Sequence, residues 1–126
     1  MPRPRKWRKV CALPRQSCFG PQNANFQTDA HIEKLIMSVD EYESIRLIDY
    51  EGLTQEECAQ QMGVARTTVQ RIYYDARLKI ARAFVEGLTI KISGGEYMIC
   101  DGTGPQCGRG VCQGRRGHGR RSDEHK

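Results

Sequence analysis

The chain has 126 residues, 38% of them hydrophobic, and a formal net charge of +5. That length suits one compact domain with modest extensions, and its core is too small to wall a large catalytic cleft. No apolar run approaches the ~20 residues that span a bilayer. The basic start MPRPRKWRKV is followed by no apolar signal stretch, so a cytoplasmic protein without membrane attachment is expected.

Residues 1–27 have Pro at 2, 4, 14 and 21 and little periodicity, and read as an extended basic arm. Through residue 21 the arm carries six basic side chains (Arg3, Arg5, Lys6, Arg8, Lys9, Arg15) and no acid. Such a segment suits phosphates or a minor groove, which makes Arg3, Arg5 and Lys6 candidate DNA contacts. Trp7 and Phe19 are read as anchors of the arm on the core.

The folded part is expected over residues 28–100, with His31–Met37 as a short lead-in. Ser38 and Glu41 form a capping box, in which each side chain takes the other residue's backbone N–H, and Met37 and Tyr42 stand at staple positions. The helix Val39–Glu51 is expected to bury Tyr42, Ile45 and Ile48, with Leu47 widening that face, and to keep an acidic outer surface; Gly52 ends it.

The same grammar recurs at once. Thr54 with Glu57 is a second capping box, and Leu53 with Cys58 a second staple. This helix runs to Met62 and turns at Gly63, which adopts the left-handed conformation without steric cost. Ala59 lets two helices cross closely, while Val64, Val69 and Ile72 bury the next helix against this one. Together these positions have helix-turn-helix spacing.

The third helix starts near Arg66 and continues to about Glu86, before Gly87. At ~100° per residue, Val69, Ile72, Tyr73, Ala76, Ile80 and Ala83 share one stripe. Thr67, Arg71, Tyr74 and Leu78 face the opposite way, with Gln70 on the flank. Residues 22–65 carry nine acids against Lys34 and Arg46, whereas residues 66–82 carry five basic residues against Asp75 alone. That polarity points to a polyanion on the side of the third helix. Arg66 and Arg71 suit guanine or phosphate, Gln70 suits adenine, and Thr67 and Thr68 suit phosphate or a thymine methyl. Tyr74 completes the face, and double-stranded DNA is the expected partner. One such motif reads few base pairs, so a homodimer is expected on half-sites one turn apart; Leu78 or the C-terminal strands are its candidate seam.

Leu88–Ile92 alternates, Ser93-Gly94-Gly95 reads as a turn, and Tyr97–Cys100 alternates again, the pattern of a β-hairpin. Residues 101–126 hold seven Gly and end in Arg/Gly-rich sequence, a flexible tail expected to be disordered unless bound. The fold class is therefore mainly α: a three-helix helix-turn-helix domain with a C-terminal β-hairpin, an extended basic arm and a disordered tail.

Six cysteines in a cytosolic chain argue against a disulfide framework. Cys58 falls on a buried helical face and reads as a small core residue. The other five, Cys11, Cys18, Cys100, Cys107 and Cys112, lie in the irregular ends and include no CxxC pair. Cys11, Cys100, Cys107 and Cys112 are candidate ligands of zinc or an iron–sulfur cluster; inert or redox-sensitive thiols are the alternative. No paired carboxylates on rigid elements, Ser/His/Asp arrangement or P-loop occurs, so no enzymatic activity is expected.

The segments MPRPRKWRKVC, SVDEYESIRLIDYEGLTQEE, GVARTTVQRIYYDARLKIARAFVEG and ISGGEY resemble a small prokaryotic family of predicted DNA-binding proteins, uncharacterised protein family 251. Residues 53–84 also look like the DNA-binding helices of sigma-factor region four. The resemblance implies DNA binding without naming a target. It also implies a Ser before Arg66, where it would cap the recognition helix and touch phosphate; Ala65 does neither. The expected function is that of a sequence-specific DNA-binding protein and transcriptional regulator. Its rival is a non-specific RNA or nucleoid binder that uses the basic ends and responds to metal or redox state through the terminal cysteines.

Overall fold

The computed structural model of the protein describes residues 7–22 and 34–100. Residues 1–6, including Arg3, Arg5 and Lys6, and the tail 101–126, including Cys107 and Cys112, lie outside the described residues.

Two capping boxes set where helices begin. Ser38 Oγ accepts the Glu41 N–H at 3.3 Å while Glu41 Oε1 accepts the Ser38 N–H at 3.0 Å. Thr54 and Glu57 repeat the exchange at 3.1 and 2.9 Å. Each box satisfies two donors that a helix start otherwise leaves without partners. The helices are α1 (Val39–Ile45), α2 (Gln55–Met62) and α3 (Arg66–Glu86). Gly63 and Gly87 close α2 and α3 in the left-handed conformation, with φ of 70° and 72°.

The helix expected over Val39–Glu51 is α-helical only through Ile45; Arg46–Tyr50 continue it as a wider π-helical turn. The Glu51 N–H reaches back to Arg46 O at 2.9 Å, one residue further than in an α-helix. Of its large apolar side chains Leu47 is fully buried, while Tyr42, Ile45 and Ile48 are half-buried.

Of the acidic outer surface expected over Val39–Glu51, Asp49 is exposed but the acids of α1 are buried. Asp40, Glu41 and Glu43 are 4%, 7% and 0% exposed. Each carboxylate has a cation: Arg8 lies 3.8 Å from Asp40 and Lys79 donates to Glu41 at 2.8 Å, both from other elements, while Arg46, three residues on, donates to Glu43 at 2.9 Å. Pairing of this kind lets buried charge be tolerated.

Among the described residues five short strands build two sheets: β1 (Arg8–Val10), β2 (Cys18–Phe19), β3 (Lys34–Met37), β4 (Thr89–Ile92) and β5 (Tyr97–Ile99). β4 is central between β2, antiparallel to it, and β3, parallel to it, with Ile90 opposite both Phe19 and Leu35. β1 pairs in parallel with β5, with Val10 opposite Ile99. Residues 8–10 and 18–19, expected in an extended arm, are thus sheet strands.

The expected C-terminal hairpin does not form, because β4 and β5 pair with other strands and not with each other. The reason lies in Ser93–Gly95. The Ser93 N–H donates to Met37 O and Gly94 O accepts the Val39 N–H, both at 2.9 Å. The glycine pair therefore seals the start of α1, with φ of 74° and 103°, instead of reversing the chain.

Two apolar clusters result. Leu47, Cys58, Ala59 and Met62 pack with Val69 and Ile72 between α2 and α3. Val10, Met37, Val39 and Ile92 pack with Ala76 between the strands, α1 and the middle of α3. Full burial of each large side chain is worth roughly 1.5–3 kcal/mol. α3 belongs to both clusters, so its orientation is fixed along most of its length.

Candidate nucleic-acid interface

The α2–α3 corner is built from four small structural decisions. Ala59, 3% exposed, lets the helices approach closely. Gly63 turns the chain, and the Val64 N–H closes the turn on Ala59 O at 3.0 Å. Ala65 is extended (ψ 152°) and starts α3 with no side-chain hydrogen bond. Val69 and Ile72 then lock the first turns of α3 into the core, at 0% and 3% exposure.

What stays outside is the set expected from the sequence. Arg66, Thr67, Gln70 and Arg71 are exposed, Thr68 is half-buried, and Tyr74 is 66% exposed. These six residues fall within nine consecutive positions, spanning about 12 Å of helix at ~1.5 Å per residue. Among the described residues neither Arg66 nor Arg71 is held in an ion pair or side-chain hydrogen bond. Two arginines and an amide in the first turns of α3, uncommitted to other described residues, can donate to phosphates or to base edges in a groove.

Further along α3 the polar side chains are already engaged. Tyr73 donates to Asp49 Oδ1 at 2.7 Å and accepts from Arg77 at 3.2 Å, with the Arg77 guanidinium 5.5 Å from the Tyr73 ring centre. Burial, followed by the Asp49 hydrogen bond and charge, raises the Tyr73 pKa above its ordinary value. This cluster ties α3 to the π-helical turn and marks where the open stretch of the face ends.

One residue that the sequence did not single out stands beside the face. Arg8 and Arg71 line the same polar cleft, about 250 Å³ in volume, together with Asp40 and Glu96. The Arg8 guanidinium pairs with Glu96. Its Nε, 3.8 Å from Asp40 Oδ2, makes an ion pair there without a hydrogen bond. Arg8 was visible in sequence as one of six basic residues near the N-terminus; its partners are far away along the chain, and nothing local reveals them. A larger, apolar cleft of about 580 Å³ opens elsewhere, between α1, the C-terminal half of α3 and β4.

The thiols divide by burial. Cys58 is fully buried, and burial, then the Glu43 charge, pushes it up to about 12. Cys11 is 3% exposed; its N–H donates to Glu43 Oε2 at 3.1 Å, and its sulfur accepts from Gln61 at 3.7 Å. The Cys100 N–H donates to Val10 O at 2.7 Å, so the β1–β5 pairing brings Cys11 and Cys100 to neighbouring backbone positions. Cys18 sits in β2 and not in an irregular end. Among the described residues no group of three or more His, Cys, Asp or Glu is arranged to hold a metal ion. No helix among them is long and apolar enough to cross a membrane.

Comparison with known proteins yields one family and several relatives. The family described as protein of unknown function DUF134 matches residues 1–100. A UPF0251 protein of Desulfitobacterium hafniense is 56% identical over 116 residues, covering 92% of this chain and 90% of the relative. One from Caldanaerobacter subterraneus is 46% identical over 99 residues, covering 79% and 81% of the two chains. Another, from Ruminiclostridium cellulolyticum, is 37% identical over 117 residues, covering 93% and 83%. No solved structure matches.

Proposed function

We propose that this chain, which belongs to the protein family of unknown function DUF134, is a sequence-specific DNA-binding protein that regulates transcription. In this reading α2 and α3 are a helix-turn-helix similar to that of sigma-factor region four, and α3 enters the major groove, N-terminal residues first. The observation that carries it is the first stretch of α3. Arg66, Gln70 and Arg71 are exposed on the helix that follows the Gly63 turn, while Val69 and Ile72 hold the opposite face in the core. Gln70 and at least one of the arginines read bases; Thr67, Thr68 and Tyr74 position the helix on the backbone.

The protein acts in the cytoplasm as a homodimer on paired half-sites, since one helix of this kind covers too few base pairs for selective binding. Leu78, 55% exposed on the far side of α3, supports a contact between copies.

The test is selection of bound duplexes from a random pool, followed by competition of the selected duplex against random duplex and RNA. A preference of ten-fold or more for the selected duplex, about 1.4 kcal/mol, is expected. Equal binding to all three would instead identify a non-specific polyanion binder.

A further inference from the structure

Arg66, Gln70, Tyr73 and Arg77 recur at spacings of four, three and four residues and so share one side of α3. The last of them is held in place but not used up. The Arg77 side chain is 62% exposed, and its guanidinium stacks over the Tyr73 ring, 5.5 Å from the centroid. Its Nε stands 3.9 Å from Asp49 Oδ2, an ion pair too long for a hydrogen bond. Of the five N–H donors of a guanidinium, only the one given to Tyr73 at 3.2 Å has an acceptor among the described residues. Tyr73 is fixed in turn by donating to Asp49 Oδ1 at 2.7 Å. Asp49 belongs to the π-helical turn, a distortion that recurs at functional sites.

We propose that Arg77 binds a DNA phosphate at the rim of the major groove and sets how deeply α3 enters. The proposal rests on the DNA reading above. Arg77 lies eleven positions beyond Arg66, about 16 Å along the helix at ~1.5 Å per residue. The groove is roughly 8.5 Å deep. When the first turns of α3 reach the base edges, Arg77 therefore stands level with the phosphates that border the groove. A planar guanidinium matches two phosphate oxygens at once, and one already stacked on an aromatic ring loses little freedom on binding. Asp49 competes weakly, because an exposed ion pair of this length contributes little and its Oδ1 is occupied by the Tyr73 phenol.

The experiment measures the affinity of the full chain, unmodified and as Arg77→Met, Arg77→Lys and Asp49→Asn, for the selected duplex and for random duplex over roughly 50–200 mM salt. Arg77→Met should weaken binding to both duplexes alike, roughly ten-fold. Its slope of log affinity against log salt should be smaller by about 0.9, the mark of one lost phosphate contact. Arg77→Lys keeps the charge and should keep the slope. Asp49→Asn disrupts the tie to the π-helical turn but leaves the guanidinium, so its slope should be unchanged as well. An unchanged slope in Arg77→Met, with the selected duplex still preferred by the unmodified chain, overturns the phosphate assignment and leaves the α3 reading standing. An equal loss of slope in Asp49→Asn shows that Arg77 acts only by holding the fold, and overturns the assignment too. Failure of the unmodified chain to prefer the selected duplex over random DNA overturns both readings.

Discussion

The guanidinium of Arg46 donates to both oxygens of Glu43, at 3.0 and 2.9 Å, and neither side chain has more than 3% of its surface in solvent. Burial works against the Arg46 charge, but the hydrogen bonds and charge of Glu43, with Cys11 and Glu51 behind it, outweigh that and raise its pKa. Glu43 also accepts the Cys11 N–H at 3.1 Å, so the pair ties α1 to the end of β1. Removing Glu43 takes two hydrogen bonds from the buried Arg46, leaving it Glu51 at 3.2 Å. Glu43→Ala should cost about 3–5 kcal/mol in urea unfolding, and replacing both residues by Met should restore most of it. A loss below about 1 kcal/mol would show that solvent reaches Arg46 after all.

The start of α3 can be strengthened without touching its exposed face. Ala65 already has the extended conformation of an N-cap but offers no acceptor. Ala65→Ser should stabilise the fold by about 1 kcal/mol, read as a rise in the urea midpoint at unchanged slope. An unchanged midpoint would mean that the first turn of α3 gains nothing from a cap.

Gly95 has no room for a side chain. A Cβ there would sit 2.5 Å from Asp40 Oδ1 and 2.7 Å from Ser38 Cβ, at a φ of 103°. Gly95→Ala should destabilise by roughly 2 kcal/mol. The same change at Gly94, where a Cβ meets nothing within 4 Å, should cost less, leaving only its positive φ to strain.

Cys58 gives the fold a sensitivity to high pH. Its pKa rises from 9.0 unfolded to about 12 in the core. Its contribution is therefore complete below the unfolded value and is lost as pH climbs through that window, because the unfolded chain releases its proton first. Stability between pH 9 and 11 should fall by up to ~1.4 kcal/mol per pH unit from this group. Cys58→Ala should flatten that part of the profile, and an identical slope in the variant would assign the loss elsewhere. The native thiol should also resist alkylation until the protein unfolds.

For the proposed dimer, light scattering of the unmodified chain should report twice the 14.3 kDa monomer mass. Leu78→Glu should return a monomer with unchanged circular dichroism and weaker binding to paired half-sites. A monomer both free and on DNA would remove the dimer.

Legibility followed sequence distance. Both capping boxes, the turn at Gly63, the span of α3 and its buried stripe depend on residues within a few positions of one another, and all were readable. The residues of the exposed α3 face were readable for the same reason, since a helix that buries Val69 and Ile72 must turn Arg66, Gln70 and Arg71 outward. The strand pairings were not. Thr89–Ile92 and Tyr97–Ile99 could be recognised as strands, but their partners lie at residues 8–10, 18–19 and 34–37. The same blindness misplaced the acids of α1, whose cations at Arg8 and Lys79 are remote in sequence. The Glu43–Arg46 pair was local, yet helical spacing alone did not show that it would be buried.

The parallel pairing of Arg8–Val10 with Tyr97–Ile99 has a consequence for biosynthesis. The first of these strands must wait for one made some ninety residues later, and closures over such separations are slow steps in folding. The helices are complete at Glu86, yet the scaffold that orients them is finished only when Ile99 has left the ribosome. A nascent chain, or one clipped ahead of Tyr97, would carry the basic helix without the frame that aims it.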